Sequence, residues 1–342
     1  MTRICPHVQE LHAYIPGEQP RTPGLIKLNT NENPYPPSPR VLEALMSAES
    51  DALRMYPDPM CNELKSIIAE LHQCKPENVF AGNGSDEGLA LCTRAFVEHD
   101  GTIGSFEPSY SLYPVLAAIR PARMELIELN EDFTWRDPGK LKSSLFYLAN
   151  PNAPTSMSFP YEAIEALCRT YHGVLLIDEA YADFAPWNCM ELALKYPNTL
   201  VSRTLSKSYS LAGIRCGYLV GPVDLIAAIH KIKDSYNINH LTQRLASAAL
   251  RDQSHMRRNV ENIISTRNRI AVELQNRGYH VAPSATNFLW VKPSGVTASE
   301  LFTQLRKRNI LTRYFPGAKT GEYLRVTIGT DEQMNAFVAA LP

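Results

Sequence analysis

Gly173-Val174-Leu175-Leu176-Ile177-Asp178-Glu179-Ala180-Tyr181 is an unbroken apolar run that stops on two carboxylates. No polar residue alternates through it, so it does not read as a strand with one wet face. It reads as a strand buried on both sides, the pattern of a parallel sheet covered by helices. The pattern recurs in Val79-Phe80-Ala81, in Ser144-Leu145-Phe146-Tyr147-Leu148-Ala149 and in Thr199-Leu200-Val201-Ser202, with helical stretches between. Polar residues gather just past the C-terminal ends of these runs, where open α/β sheets place their ligands. The expectation is an α/β fold with a mostly parallel central sheet.

Working outward, the first sixty residues are punctuated by prolines from Pro16 to Pro59, which predicts an extended arm with little helix. A helix is predicted to start at Ser38, a capping residue ahead of Pro39, and a second near Asn62. Beyond about residue 235 the rhythm changes. A long helical stretch from Thr242 to Asn276, broken once, precedes the strand-like Asn287–Val291 and Tyr323–Ile328, with helices around Leu301 and Met334. That predicts an arm over 1–30, a large domain over 31–235 and a small α+β domain over 236–342.

Composition narrows the function classes. The chain has 342 residues, 44% hydrophobic and 20% charged, with 34 Lys and Arg against 35 Asp and Glu. A net charge of −1 gives no basic surplus for nucleic acid or a membrane surface, although a few arginines suffice for a local anion site. No apolar run is long enough to span a membrane, and the first residues lack the apolar core of a signal peptide. The scattered Cys5, Cys61, Cys74, Cys92, Cys168, Cys189 and Cys216 show no metal-ligand spacing, and free thiols in a cytoplasmic protein are expected.

Three segments can carry chemistry. Ser202 to Arg215 sets hydroxyls and Lys207 between Arg203 and Arg215, after a strand. Hydroxyls with an arginine make a phosphate cradle, and a lysine beside such positive charge can serve as a nucleophile; a plain polar loop is the alternative. Asp178, at the end of a buried strand, needs a cationic partner or else caps the next helix. Gly82-Asn83-Gly84-Ser85-Asp86-Glu87 fails the dinucleotide fingerprint at Glu87, but it still opens a helix whose free N–H groups can take a phosphate.

Asn29-Thr30-Asn31-Glu32-Asn33-Pro34, Gly82 to Glu87, Asp178-Glu179-Ala180-Tyr181, and Ser206-Lys207 with Arg215 occur in this order. Together they resemble the fold-type I pyridoxal 5'-phosphate (PLP) aminotransferases over essentially the whole chain. The arm Tyr14 to Pro20, Arg313-Tyr314-Phe315 and Tyr323 to Thr330 are similar to the branch that transaminates L-histidinol phosphate with 2-oxoglutarate.

The resemblance implies that Lys207 carries PLP as a Schiff base and shuttles the proton, that Asp178 holds the pyridine nitrogen protonated, and that Tyr181 acts on the phenolic oxygen. It further implies that Tyr110 stacks on the ring, with core packing as the alternative for it and for Tyr113. The phosphate would be held by Ser85, Asp86, Thr204, Ser206 and Arg215, and by Tyr56 of the second subunit of a homodimer. Arg325 and Arg313 would take the substrate anions, and Tyr14 would close over the phosphate. The substrates are small molecules, a phosphorylated amino alcohol and a 2-oxo acid, with no metal involved.

One loop departs from the family pattern. Where the family carries Asn-Pro-Thr-Gly, this chain has Ala153-Pro154-Thr155-Ser156, so either Asn152 substitutes through a shifted loop or Tyr181 acts with less help. Rival readings share the lysine and arginines: a decarboxylase of a phosphorylated amino acid, told apart by whether 2-oxoglutarate is consumed, and an aromatic amino-acid aminotransferase. A PLP-binding protein without turnover is a remote third.

Overall fold

The computed structural model describes residues 3–20, 22–48 and 50–342. Met1, Thr2 and Arg21 of the expected arm lie outside the described residues.

Seven strands form the central sheet, in the order Val79–Gly82, Gly217–Val220, Thr199–Thr204, Val174–Asp178, Leu145–Ala149, Thr102–Glu107 and Arg123–Glu128. Every pairing is parallel except the two made by Gly217–Val220, which runs against both neighbours. The sequence explains why the inner strands sit where they do. Leu175, Leu176, Ile177, Leu145, Phe146, Leu148, Leu200 and Val201 are all without solvent exposure, and a strand apolar on both faces is stable only under helices on both sides. Helices Ser85–Phe96 and Val223–Ile232 cover one face around Phe80, Leu89 and Ile229, while Tyr161–Thr170 and Met190–Lys195 pack into the main core on the other.

Local signals hold at the element ends. Ser38 accepts from the Arg40 N–H ahead of Pro39–Met46, so the cap and the proline at the first helical position work as expected. The long C-terminal stretch is two helices, His240–Leu250 and Gln253–Asn276. They part at Arg251 and Asp252, and Asp252 caps the second by accepting from the His255 N–H.

A four-stranded antiparallel sheet follows, in the order Arg313–Tyr314, Leu324–Thr327, Phe288–Lys292 and His280–Val281. The arm does not stand apart from it. Ile26–Lys27 pairs in parallel with Ile310–Leu311, and Thr327 N donates to the Leu28 carbonyl. This stitch carries Asn29 to Asn33 from the C-terminal sheet across to the strand ends of the central sheet. All seven cysteines are free thiols. Among the described residues no helix is long and apolar enough to cross a membrane, and no cluster of metal-ligating side chains occurs.

Candidate active site

A cavity of about 500 Å³ opens where the central sheet's strand ends meet the arm and the C-terminal sheet. Its floor starts with the turn into helix Ser85–Phe96. Gly84 has φ +83°, a conformation that favours glycine, and a Cβ there would lie 2.5 Å from Arg215 Nη2 and displace that guanidinium. Gly217 makes a similar close approach, since a Cβ there would sit 2.4 Å from the Ser85 nitrogen. The helix N-terminus is thereby pressed against the start of strand Gly217–Val220, which pairs with the strand that leads to Lys207.

Around it, Thr204 Oγ1 donates to Ser206 Oγ at 3.0 Å, and Arg215 reaches Ser206 Oγ at 3.4 Å and Asp86 Oδ2 at 3.3 Å. Ser85, Asp86, Thr204, Ser206 and Arg215 all line the cavity. Free helix N–H groups, two hydroxyls and a guanidinium form an anion cradle of the kind that takes a phosphate.

Beside the cradle the strand Val174–Asp178 delivers Asp178. Its Oδ2 accepts the Tyr113 hydroxyl at 3.0 Å, whereas Oδ1 is buried with no partner. Burial pushes this carboxyl up to about 6, with the Tyr113 hydrogen bond opposing that rise. A buried unpaired carboxylate oxygen is costly, and a protonated ring nitrogen is the kind of donor that would satisfy it. The residues present therefore fit a pyridinium group with a phosphate arm.

Lys207 faces the cavity and donates to the Thr30 carbonyl at 3.3 Å. Withdrawal from solvent lowers its ammonium to about 8, helped by the positive charge of Arg325 and opposed by Glu32 and Asp86. Tyr181 receives a hydrogen bond from Asn31 Nδ2 at 2.8 Å, with its ring edge-on to Phe288. Tyr110 lies on the cavity wall, its hydroxyl 3.3 Å from Asp86 Oδ1 and its ring edge-on to Tyr14 and Tyr113.

The opposite wall is cationic. Arg313 and Arg325 are direct partners across antiparallel strands, and both line the cavity. Like charges facing each other across strands are unfavourable unless something anionic sits between them. Arg325 donates to the Asn29 carbonyl at 2.9 Å and leaves its buried Nε unpartnered. Its guanidinium lies 5.3 Å from the Phe288 ring centre and 5.2 Å from that of Phe315. Arg313 is held by the arm, donating to the Ile15 carbonyl at 3.1 Å and the Pro16 carbonyl at 3.4 Å, and Tyr14 lines the cavity beside it.

Two expected residues are placed elsewhere. Asn152 is fully buried and its amide is spent: Oδ1 accepts from Ser109 Oγ at 2.9 Å, and Nδ2 donates to the Pro108 carbonyl and Thr155 Oγ1. It pins the loop with both amide donors engaged, and Pro151, Ala153 and Pro154 form the wall there. Ser156 tolerates the glycine position at φ +66° with its hydroxyl bonded to the Pro283 carbonyl. Tyr56 is 80% exposed, stacked on Tyr236 and away from this cavity.

The sequence reading gave Tyr113 core packing only, and gave Asn31, Thr30 and Phe315 no individual role. The amide-rich Asn29 to Asn33 was the available signal. That stretch touches Arg325, Lys207 and Tyr181 in turn, and Asn33 Nδ2 also donates to the carbonyls of Lys207 and Ser208.

Comparison with known proteins agrees with this geometry. The model of the family "aminotransferase class I and II" matches residues 23–341. A histidinol-phosphate aminotransferase of Aromatoleum aromaticum is 42% identical over 98% of this chain and 96% of its own length. One from Geotalea daltonii is 40% identical over 100% and 99%. The solved histidinol-phosphate aminotransferase of Sinorhizobium meliloti, in complex with pyridoxal-5'-phosphate, superposes with a TM-score of 0.90 at 28% identity, covering 100% of this chain and 97% of that one. The cradle, the strand-end aspartate and the cavity lysine thus stand in a fold that these proteins share, and the chain belongs to the class I and II aminotransferase family.

Proposed function

We propose that the chain is a PLP-dependent transaminase that exchanges the amino group of L-histidinol phosphate with 2-oxoglutarate, giving imidazole acetol phosphate and glutamate in histidine biosynthesis. The observation that carries this reading is the cross-strand pair Arg313 and Arg325, two opposed cations in one cavity with Lys207. One substrate brings a phosphate and the other carboxylates, and the planar guanidinium suits both. The full-length relatives named above support the choice of substrate.

Bound PLP supplies an aldehyde carbon that takes up the amino group and a pyridine ring that withdraws electrons from it. The backbone N–H groups of Ser85 and Asp86, with Thr204, Ser206 and Arg215, hold its phosphate, and Tyr110 covers the ring. Asp178 Oδ1 keeps the proton on the ring nitrogen, while Tyr181 donates to the phenolic oxygen. Lys207 Nζ is the base that takes the proton from the substrate carbon and passes it to the carbon that bore the cofactor's aldehyde, a role suited to an amine whose ammonium is lowered to about 8. Arg325 grips the anion of either substrate, and Arg313 with Tyr14 closes the arm side.

In this reading the arm spans 1–30, the large domain 31–235 and the small domain 236–342. The enzyme is a cytoplasmic homodimer, and the exposed Tyr56 reaches the phosphate of its partner's cavity.

The test is one turnover at a time. The PLP-loaded chain is mixed with L-histidinol phosphate and no oxo acid, and the cofactor's long-wavelength absorbance is followed. The expected result is bleaching of one equivalent, restored by 2-oxoglutarate. Bleaching by aromatic amino acids alone, or release of carbon dioxide from a phosphorylated amino acid without consumption of 2-oxoglutarate, would overturn the substrate assignment.

A further inference from the structure

Tyr113 sits in the first turn of helix Leu112–Ile119, wholly buried, with its hydroxyl aimed at Asp178 Oδ2. Its ring stacks on Tyr147, centre to centre 4.6 Å and 14° from parallel. Tyr147 is anchored in turn, its hydroxyl donating to the Leu89 carbonyl at 2.8 Å and meeting Thr93 Oγ1 at 2.5 Å. Leu89 and Thr93 belong to helix Ser85–Phe96, whose N-terminus forms the anion cradle. A continuous chain of contacts therefore runs from the cradle helix through two tyrosines to one oxygen of Asp178, and it leaves the other oxygen bare.

An aspartate carboxyl turns freely about its terminal bond unless something holds it. Tyr113 makes the one side-chain hydrogen bond to this carboxylate among the described residues. The titratable groups that face Asp178 are Tyr113 and Tyr110 from the helix and its leading turn, Tyr147 from the neighbouring strand, Glu179 and Tyr181 from the exit of its own strand, and Asp86 from the cradle helix. Asp86 and Glu179 both disfavour its charge, and the Tyr113 hydroxyl, with a smaller contribution from the Ala180 backbone N–H, counters them.

We propose that Tyr113 is a positioning residue: its hydroxyl holds Oδ2 so that the bare Oδ1 stays ionised and aimed at the ring nitrogen of the cofactor. The inference rests on the reading of this cavity as a PLP site. With the hydroxyl gone, the ion pair between carboxylate and ring loses one of its supports. The shared proton then moves toward Asp178, because hydrogen bonds to the charged form are what favour that form.

The experiment uses Tyr113→Phe, which deletes one hydroxyl and keeps the stacked ring. Wild type and variant are loaded with PLP, and two quantities are read: the NMR shift of the cofactor's ring nitrogen across pH, and the dissociation constant for PLP. In the variant, the expected nitrogen shift lies closer to that of a neutral pyridine, and PLP binds about tenfold more weakly, the scale of one hydrogen bond to a charged group. Tyr113→His, which restores a donor, should return the shift toward the wild-type value. Tyr147→Phe, which loosens the same stack without touching Asp178, should lower the melting temperature and leave the nitrogen shift in place. Identical shifts and affinities in wild type and Tyr113→Phe overturn the inference while leaving the PLP reading intact, as does an equal displacement by Tyr147→Phe. A wild-type chain that takes up no PLP takes down both.

Discussion

On the sheet side of the cavity, each reactive group is held from behind by buried partners. Asp178 has Tyr113, Tyr181 has Asn31, and beneath them Arg203 bonds Glu179 at 2.8 Å and Asp183 at 2.9 Å while Ser208, next to Lys207, donates to Asp183. On the arm side, Arg313 is held by two main-chain carbonyls at 3.1 and 3.4 Å, Tyr14 is 36% exposed, and the arm is tied down by the exposed Glu18–Arg306 pair. The contrast separates two tasks. Proton transfer at a fixed carbon needs groups held to fractions of an ångström, which buried elements braced by hydrogen bonds from behind provide. Admitting two substrates of different length needs a wall that can give way, and weakly held, solvent-facing contacts allow it.

The contrast can be broken or sharpened by mutation. The largest effect belongs to Lys207→Ala, which should cut turnover by about ten-thousandfold, the upper range for a lost acid–base group, and should abolish the shifted absorbance of lysine-bound cofactor. A spectrum unchanged from wild type would remove Lys207 from the sheet-side machinery. Next, Arg203→Leu strands the fully buried Glu179 without its cation, and chemical denaturation should show a loss of about 3–5 kcal/mol. A loss no larger than that of a surface substitution would mean that the sheet wall is not braced there.

Arg325→Ala should raise KM about tenfold or more for both L-histidinol phosphate and 2-oxoglutarate, since a hydrogen-bonded charge contact is lost in each half-reaction. Impairment of one half-reaction alone would refute a shared anion site. Arg313→Ala should show a several-fold rise in KM for the phosphorylated substrate with little change in kcat, as expected for binding without a part in the chemistry. Smallest of all, Glu18→Gln breaks an exposed pair and should cost less than about 1 kcal/mol in melting experiments.

A pH measurement probes the sheet side directly. Free Lys207 loses its proton near 8 instead of 10.5, because burial and Arg325 disfavour the ammonium. The amine is the nucleophile, so the rate of PLP uptake by the cofactor-free protein should climb as pH rises and level off above about 8. A rise that continues to the ordinary lysine range would show that the amine is not poised.

Much of the sheet side was legible in the sequence, and the arm side less so. Val174 to Asp178, Ser38 with Pro39, the turn at Gly82 to Gly84 and the break in the long C-terminal helix all announce themselves locally, through burial pattern, caps and glycines. Asp178, Lys207 and Arg215 could be picked out because their residue types sit at strand ends, where the fold class places ligands. Asn152 was less legible, because an amide next to the divergent loop offers two donors in the sequence, whereas the folded loop engages both of them with Pro108 and Thr155.

The sequence by itself determined the α/β class and marked Asp178, Lys207 and Arg215 as candidates one by one, since each lies at a strand end or in a loop beside one. Only the tertiary structure decided that Tyr113 would hold Asp178, that Asn31 would hold Tyr181 across 150 residues, and that Arg313 would face Arg325 over the cavity. Those pairings are fixed by register and by the stitch of Ile26–Lys27 onto Ile310–Leu311. Register depends on how distant segments bury their apolar faces together, and no local pattern in the chain encodes it.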